Sequence, residues 1–188
     1  MTPTITTFTG RHVNPLALRV EDISIVDLAH HLSCINRFVG ALAEPVSVAQ
    51  HSFFVAKLMK RHGLEALGLF HDASEAYLGD VTKWVKHSDT MKSYREAEAD
   101  ATKVINQALG LQPTQEDLHL LEEADRLMVR YEAYRFNPTS GMFSHPEYPR
   151  PDKFEIELVE SITHFHSWNW RDAKDRFLYT AETLGYIP

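Results

Sequence analysis

The sequence predicts an all-α fold. Apolar residues recur three and four positions apart, serine and threonine caps and glycine stops divide the chain into helix-sized segments, and no stretch alternates convincingly as a strand does. The 188 residues are 44% hydrophobic and 24% charged, which is the composition of a globular protein long enough to bury a core. We therefore expect one domain covering residues 1–188.

Each predicted segment has a start or stop signal of the kind that caps helices. In chain order we predict an irregular lead over 1–22, a helix from Ser24 to about Val39, a helix from Ser47 to a left-handed Gly63, and a helix from Leu64 to about Leu78 that Gly79 stops. A polar helix follows from Asp89 to Leu109 and Gly110, and then a helix capped by Thr114 and Asp117 that reaches about Arg135. The rest of the chain is predicted to form a loop over 136–151 and helices over 152–166 and 171–184.

Charge and composition exclude several classes of function. The formal charge of −7 argues against a nucleic-acid polymer as the main partner, because such binding rests on a basic surface. No apolar run reaches the length of a membrane span and the N-terminus is unlike a secretory signal, so we expect a cytoplasmic protein without a membrane partner. The lone cysteine, Cys34, is expected to be a thiol in the core.

Three predicted helices carry an ionisable residue on the apolar face. His51, His71 and Asp125 each have apolar residues three, four or seven positions away, which places them on the buried stripe. Each has an ordinary alternative, since a core histidine can be hydrogen bonded and Asp125 could pair with Arg126. Convergence of all three on one divalent transition metal would remove every burial penalty together, because imidazoles and carboxylates are suitable ligands.

The doublet His71-Asp72 adds a second ligand and a catalytic candidate. Neighbouring helical residues point about 100° apart, so both can bind one ion only if it lies at the helix edge between them. Glu75 is four residues from His71 and three from Asp72, which places it near the ion without making it a ligand. A group that handles the proton of a water held by the metal would stand there, although a solvated carboxylate at a helix end is the alternative.

The order of these residues resembles the HD-domain metal-dependent phosphohydrolases. Within that family the chain is similar to small bacterial 5'-deoxynucleotidases at INRF (35–38), QHS (50–52), FHDASE (70–75), GD (79–80), VK (85–86) and AD (124–125). The segments TFTGRHVNPL and PVSVAQHS resemble a phage and prophage branch that includes dATP triphosphohydrolases. The resemblance covers about residues 24–135, so it implies an HD-domain helical bundle there, followed by a loop and C-terminal helices over 136–188.

The resemblance also implies roles for particular residues. His51, His71, Asp72 and Asp125 would bind one Zn²⁺, Co²⁺ or Mn²⁺, and Mg²⁺ could accompany a triphosphate. Asp80 would be a second acid or base or a contact to the sugar 3'-hydroxyl, with a simple turn residue as the alternative. The expected substrate contacts are Arg37, Phe38 (where the subgroup has Trp), Lys86, Lys83 by proximity, and Arg11 from the lead, and Phe38 or Trp84 could stack on a base or belong to the core.

The expected partner is therefore a small-molecule deoxynucleotide. We expect hydrolysis of dATP, dADP or dAMP, with a broad 5'-deoxynucleotidase as the first alternative and a non-catalytic nucleotide-binding HD protein as the second. A di-iron oxygenase is disfavoured because no extra histidine ligands can be placed near the doublet. Relatives of the subgroup imply a homo-oligomer, either a dimer or a hexamer. The segment HFHSWNW (164–170) is interpreted as a helix end with core or interface aromatics.

Overall fold

The computed structural model describes residues 4–162 and 165–186. Short strands β1 (Ile5–Thr6) and β2 (His12–Val13) precede the helices. The helices are α1 (Ile25–Cys34), α2 (Val48–Met59), α3 (Glu65–Phe70), α4 (Glu75–Leu78), α5 (Lys83–Lys86), α6 (Lys92–Leu109), α7 (Gln115–Phe136), α8 (Lys153–Ile162) and α9 (Trp170–Thr183), with 3-10 turns at Val20–Asp22, Arg37–Gly40, Lys60–His62, Asp89–Met91 and Gly141–Ser144.

The predicted all-α class is confirmed. The lead differs from the expectation of an irregular segment, because β1 and β2 pair as a small antiparallel ribbon with Ile5 opposite Val13. Val13 is buried in the core, and this contact ties the ribbon to the helices. A pair of two-residue strands is too short to show alternation in a sequence.

The cap signals identify helix ends correctly. The Ser47 hydroxyl accepts a hydrogen bond from the Gln50 amide at the start of α2, and Thr114 and Asp117 form a reciprocal capping box at the start of α7. Gly63 follows the Lys60–His62 turn with a φ of 70°, a left-handed conformation that glycine adopts without steric cost. These local signals depend only on nearby backbone groups.

Three predicted helices are shorter, over the described residues, than their sequence patterns suggest. The first ends at Cys34 rather than near Val39, and a 3-10 turn follows. The third is interrupted between Phe70 and Glu75, where hydrogen bonds span three residues rather than four, and the His71-Asp72 doublet lies in this break. The predicted helix over 152–166 ends at Ile162 in the part of the chain described, and residues 163–164, including His164, lie outside it.

Helix α2 lies at the centre of the core. It packs against α1, α3, α7, α8 and α9, and most of its side chains are buried. The Gln50 side chain donates to the His166 carbonyl at 2.7 Å and accepts from the Trp168 amide at 3.0 Å, which fixes the segment before α9 to α2. Phe165 and Trp168 from that segment are buried against Phe54.

Cys34 is exposed, contrary to the predicted core thiol, because it is the last residue of α1 and lies on the solvent side. Over residues 4–162 and 165–186, none of the helices combines the length and the apolar character that crossing a bilayer requires.

Gly68 allows α3 to approach α2 closely. A Cβ atom added at this position would lie 2.8 Å from the Ala56 Cα, a backbone contact that neither helix can relieve by rotating a side chain. We expect Gly68→Ala to destabilise the fold by about 1–3 kcal/mol, the usual cost of forcing extra volume into a packed core. Urea unfolding measures this, with Gly141→Ala as the control, since a Cβ there meets nothing within 4 Å. Equal stability of the two variants would contradict the close packing described.

Candidate metal centre and substrate cavity

Four predicted ligands from separate parts of the fold converge on one point. His51 comes from α2, His71 and Asp72 from the break after α3, and Asp125 from α7. One ligand atom each from His51, His71 and Asp72 lies within 4.8 Å of the other two. The Asp125 Oδ1 atom is 2.9 Å from Nε2 of His51 and 3.9 Å from Nε2 of His71. The helical spacing and the doublet therefore identified residues that do meet in space.

Both imidazoles are oriented by hydrogen bonds on the side away from the cluster. His51 Nδ1 lies 2.8 Å from Oε1 of Glu132, and His71 Nδ1 lies 2.8 Å from the Gly68 carbonyl oxygen. A carbonyl can only accept, so Nδ1 of His71 carries a proton, and in a neutral ring the Nε2 atom has the lone pair that a metal would use. Such outer contacts are typical of metal-binding histidines, because they fix the tautomer and the ring plane.

The residues present fit a divalent transition metal. His71 Nε2 is buried and has no hydrogen-bond partner in the described chain, and it faces Oδ2 of Asp72 at 3.1 Å in a direction that forms no hydrogen bond. A buried nitrogen without a partner is costly, and coordination would satisfy it. Two imidazoles and two carboxylates form a donor set suited to Zn²⁺, Co²⁺ or Mn²⁺.

Asp125 is less buried than its helical pattern indicates. Its side chain is 39% exposed, and Leu118, two turns earlier, is also exposed. Asp125 borders the cavity described below, which accounts for its access to solvent. The alternative of a simple ion pair with Arg126 is not observed, because the Asp125 carboxylate contacts His51 and forms no ion pair with that arginine.

Glu132 is a site residue that the sequence reasoning missed. Its side chain is 0% exposed, and its carboxylate accepts from His51 Nδ1 and, at 3.1 Å, from Nε of Arg37. Glu132 lies seven residues after Asp125 on α7, so the two share one face of the helix. The same test that selected Asp125, a carboxylate three, four or seven positions from apolar residues, would have selected Glu132 through Met128.

Arg37 connects a predicted metal ligand, Asp72, with the supporting carboxylate of Glu132. Besides its bond to Glu132, its Nη1 atom lies 3.3 Å from Oδ2 of Asp72. Burial opposes the charge of Arg37, but Glu132 and Asp72 outweigh that effect and raise its pKa. The pKa of His51 is likewise raised, to about 9, because Glu132 and Asp125 outweigh burial and the repulsion from Arg37. Arg37, which the sequence predicts to contact the substrate, thus also supports the cluster of predicted metal ligands.

Glu75 and Asp80 lie beside the cluster at the cavity wall. Glu75 is 4% exposed, and its Oε2 atom is buried without a hydrogen-bond partner among the described residues. Burial, then the nearby charges of Asp72 and Asp80, raise the pKa of Glu75 well above its usual value. Burial also raises the pKa of Asp80. Both carboxyl groups can therefore hold a proton more readily than an exposed acid does.

The cluster opens into a cavity of about 440 Å³. This volume is within the range of small-molecule sites. Asp72, Glu75, Asp80 and Asp125 form an acidic part of the wall, and further lining comes from basic side chains (Arg37, Lys83, Lys86, Arg126) and from apolar or aromatic ones (Phe38, Val81, Trp84, Val129, Met142, Tyr148).

Most predicted substrate contacts border this cavity, and Arg11 does not. Arg37, Phe38, Lys83 and Lys86 all line it. Arg11 is exposed on the lead, where its Nη1 atom donates to the Glu21 carbonyl oxygen at 2.9 Å. The structure therefore keeps four of the five candidates together and places the fifth elsewhere.

Phe38 enters the cavity wall from a strained turn. Phe38 and Val39 have φ values of 55° and 54°, in the left-handed region that residues with a Cβ rarely adopt. Each such residue costs on the order of 1–2 kcal/mol. Gly40, with a φ of 74°, completes the turn at no comparable cost. No helical periodicity could have indicated this conformation.

A family model described as HD domain matches residues 40–180, about three quarters of the chain. This chain belongs to the HD-domain family. The residues that match the family model include His51, His71, Asp72 and Asp125, whereas Arg37 precedes them.

The HD domain is also similar to two curated bacterial proteins. It is 34% identical over 140 residues to the uncharacterized protein YfdR of Escherichia coli (strain K12), covering 74% of this chain and 75% of YfdR. It is 33% identical over 110 residues to an uncharacterized protein of Rhodobacter capsulatus, covering 54% of this chain and 56% of that protein. HD domains bind divalent metals, and this one carries a suitable His/Asp cluster, so the family indicates a metal-dependent phosphohydrolase.

Proposed function

We propose that this HD domain removes phosphate groups from deoxynucleotides. The preferred substrate is dATP, converted to deoxyadenosine and triphosphate, and dADP and dAMP are hydrolysed as well. The observation that carries the proposal is one cavity that combines the His/Asp cluster, the Glu75 carboxyl with an Oε2 atom that has no partner among the described residues, basic side chains and an aromatic wall. These groups match the parts of a nucleotide: a phosphoryl group at the cluster, anionic oxygens near lysine and arginine, and a base against Trp84 or Phe38.

Different residues of the chain have separate roles in the proposed hydrolysis. A divalent ion held by His51, His71, Asp72 and Asp125 would supply a Lewis acid for the phosphoryl oxygen and lower the pKa of water. Glu75 orients the attacking water and receives its proton. The P–O5' bond then breaks, and the O5' atom gains a proton, for which Asp80 is a candidate donor. Asp80 is alternatively a hydrogen-bond acceptor for the sugar 3'-hydroxyl.

Support for a deoxynucleotide, and for dATP, comes from the sequence motifs. The INRF, FHDASE and GD segments resemble the bacterial 5'-deoxynucleotidases, and the lead resembles the phage triphosphohydrolase branch. The same motifs are compatible with a broad 5'-deoxynucleotidase that acts on monophosphates, which is the second candidate. We also propose a homo-oligomer, a dimer or a hexamer, on this resemblance, and light scattering after size-exclusion chromatography tests it.

A substrate panel tests the function. The purified protein with Co²⁺, Zn²⁺ or Mn²⁺ is given mono-, di- and triphosphates of all four deoxynucleosides and of adenosine, and chromatography identifies the nucleoside and phosphate products. We expect fastest turnover of dATP, with slower release from dADP and dAMP. Equal turnover of all bases would remove the dATP preference and support the broad enzyme. No turnover of any nucleotide, with binding retained, would support a non-catalytic nucleotide-binding protein.

A further inference from the structure

The basic side chains of the cavity differ in whether a carboxylate already holds them. Arg37 contacts Glu132 and Asp72, Lys86 contacts Glu98 at 2.7 Å, and Lys83 contacts Glu147 at 3.3 Å. Arg126 lines the same cavity, and over residues 4–162 and 165–186 its side chain forms no ion pair, hydrogen bond or ring contact. Among the described residues, Arg126 is thus the one lysine or arginine of the cavity that is not paired with a carboxylate.

The other three cations are less available to a ligand. The Lys86–Glu98 pair is largely buried, and Arg37 is held by two carboxylates in the support of the cluster. Separating partners in such surroundings leaves an unpaired charge, which costs several kcal/mol. Lys83 could be released more easily, because its pair with Glu147 is exposed and exposed pairs contribute little. Arg126 can bind an anion without breaking any contact.

The position of Arg126 suggests which part of a ligand it meets. It directly follows Asp125 on α7, and neighbouring helical residues point about 100° apart, so its side chain leaves the helix in a direction turned away from the metal ligand. Glu122, one turn earlier on the same helix, also lines the cavity, and among the described residues it forms no ion pair with Arg126. A guanidinium that lines the cavity on a side turned away from the metal ligand matches phosphate oxygens that extend beyond the phosphorus under attack.

We propose that Arg126 binds the β- and γ-phosphates of the substrate and makes the enzyme prefer di- and triphosphates to monophosphates. This inference rests on the proposed function, since it names the phosphate chain that the same cavity accepts. Loss of a hydrogen bond to a charged group costs about 1.5–3 kcal/mol, which corresponds to a change of roughly 10- to 100-fold.

The first test compares Arg126→Gln with Arg61→Gln, which removes the same charge from an exposed arginine outside the cavity. For Arg126→Gln we expect kcat/KM for dATP to fall at least about tenfold, mainly through KM, while kcat/KM for dAMP changes less than about threefold. Arg126→Lys should recover part of the loss. A similar loss with dATP and dAMP, or no loss with either, would refute the role of Arg126.

The second test needs no catalysis. Calorimetry measures binding of inorganic tripolyphosphate and of orthophosphate to the metal-loaded parent, Arg126→Gln and Arg61→Gln. We expect Arg126→Gln to weaken tripolyphosphate binding at least about tenfold and Arg61→Gln to bind as the parent does. If the parent hydrolyses no nucleotide but shows this difference, the proposed function fails while the phosphate-binding role stands. If the parent hydrolyses dATP and neither assay separates the variants, the role of Arg126 fails and the function stands.

Discussion

The double substitution His71→Ala, Asp72→Ala should remove the bound divalent metal and lower phosphate release at least about a thousandfold. Removing two of four ligands leaves His51 and Asp125, which cannot hold an ion tightly by themselves. Loss of the ion's contribution to the barrier, several kcal/mol, corresponds to that factor. Elemental analysis of the purified protein gives metal content, and chromatography of the products gives the rate.

The matched control is His119→Ala, Glu123→Ala. These residues also pair a histidine with a carboxylate, at 3.5 Å, but both are exposed on α7 and neither lines the cavity. The control should keep its metal and its rate. Circular dichroism should show that both double variants remain folded, since Arg37 still has Glu132 as a partner after Asp72 is lost. A folded His71→Ala, Asp72→Ala protein that released phosphate at the parent rate would refute the metal mechanism.

Glu132→Gln should damage both stability and metal binding, although Glu132 is not a ligand. In the metal-free protein, the substitution removes the charge that faces the buried Arg37 and the buried His51, whose raised pKa favours its charged form. Breaking a buried pair of this kind costs about 3 kcal/mol. Loss of the acceptor behind a metal-binding histidine typically lowers metal affinity about 10- to 100-fold. Urea unfolding of the metal-free protein and competition with a chelator measure the two effects separately.

Glu123→Gln provides the comparison on the same helix. Glu123 is exposed, and its contact is with the exposed His119, so its substitution should change the free energy of unfolding by less than about 0.5 kcal/mol. If Glu132→Gln matched this control in both measurements, the proposed support of His51 by Glu132 would be wrong. If only stability fell, Glu132 would hold the fold without orienting the ligand.

Local signals in the sequence predicted the helices better than they predicted the interruptions. Ser47, Gly63, Thr114 and Asp117 act through the adjacent backbone, so their effect can be inferred from a few residues. The break after Phe70 could not, because the apolar pattern continues through it. Its short-range hydrogen bonds form where the chain turns the doublet toward ligands from α2 and α7.

In the candidate site, too, the features that depend on one helix could be predicted and the contacts between helices could not. Spacing on single helices selected His51, His71 and Asp125, and the structure brings them together. The contacts that orient them join distant parts of the chain, such as Glu132 with His51, and depend on how α2 and α7 pack. Whether a carboxylate pairs with Arg126 also depends on tertiary structure, because only the folded chain shows which carboxylates already have other partners.

The left-handed turn at Phe38 and Val39 places backbone strain at the wall of the cavity. Val39 is 79% exposed, so its side chain contributes little packing to offset the strained backbone. Glycine or asparagine would tolerate the φ of Val39 better, although glycine would also increase the conformational freedom of the unfolded chain. The free energy that this turn costs must therefore be offset by packing in other parts of the fold, so the stability of the helical core limits how much strain the cavity wall can contain.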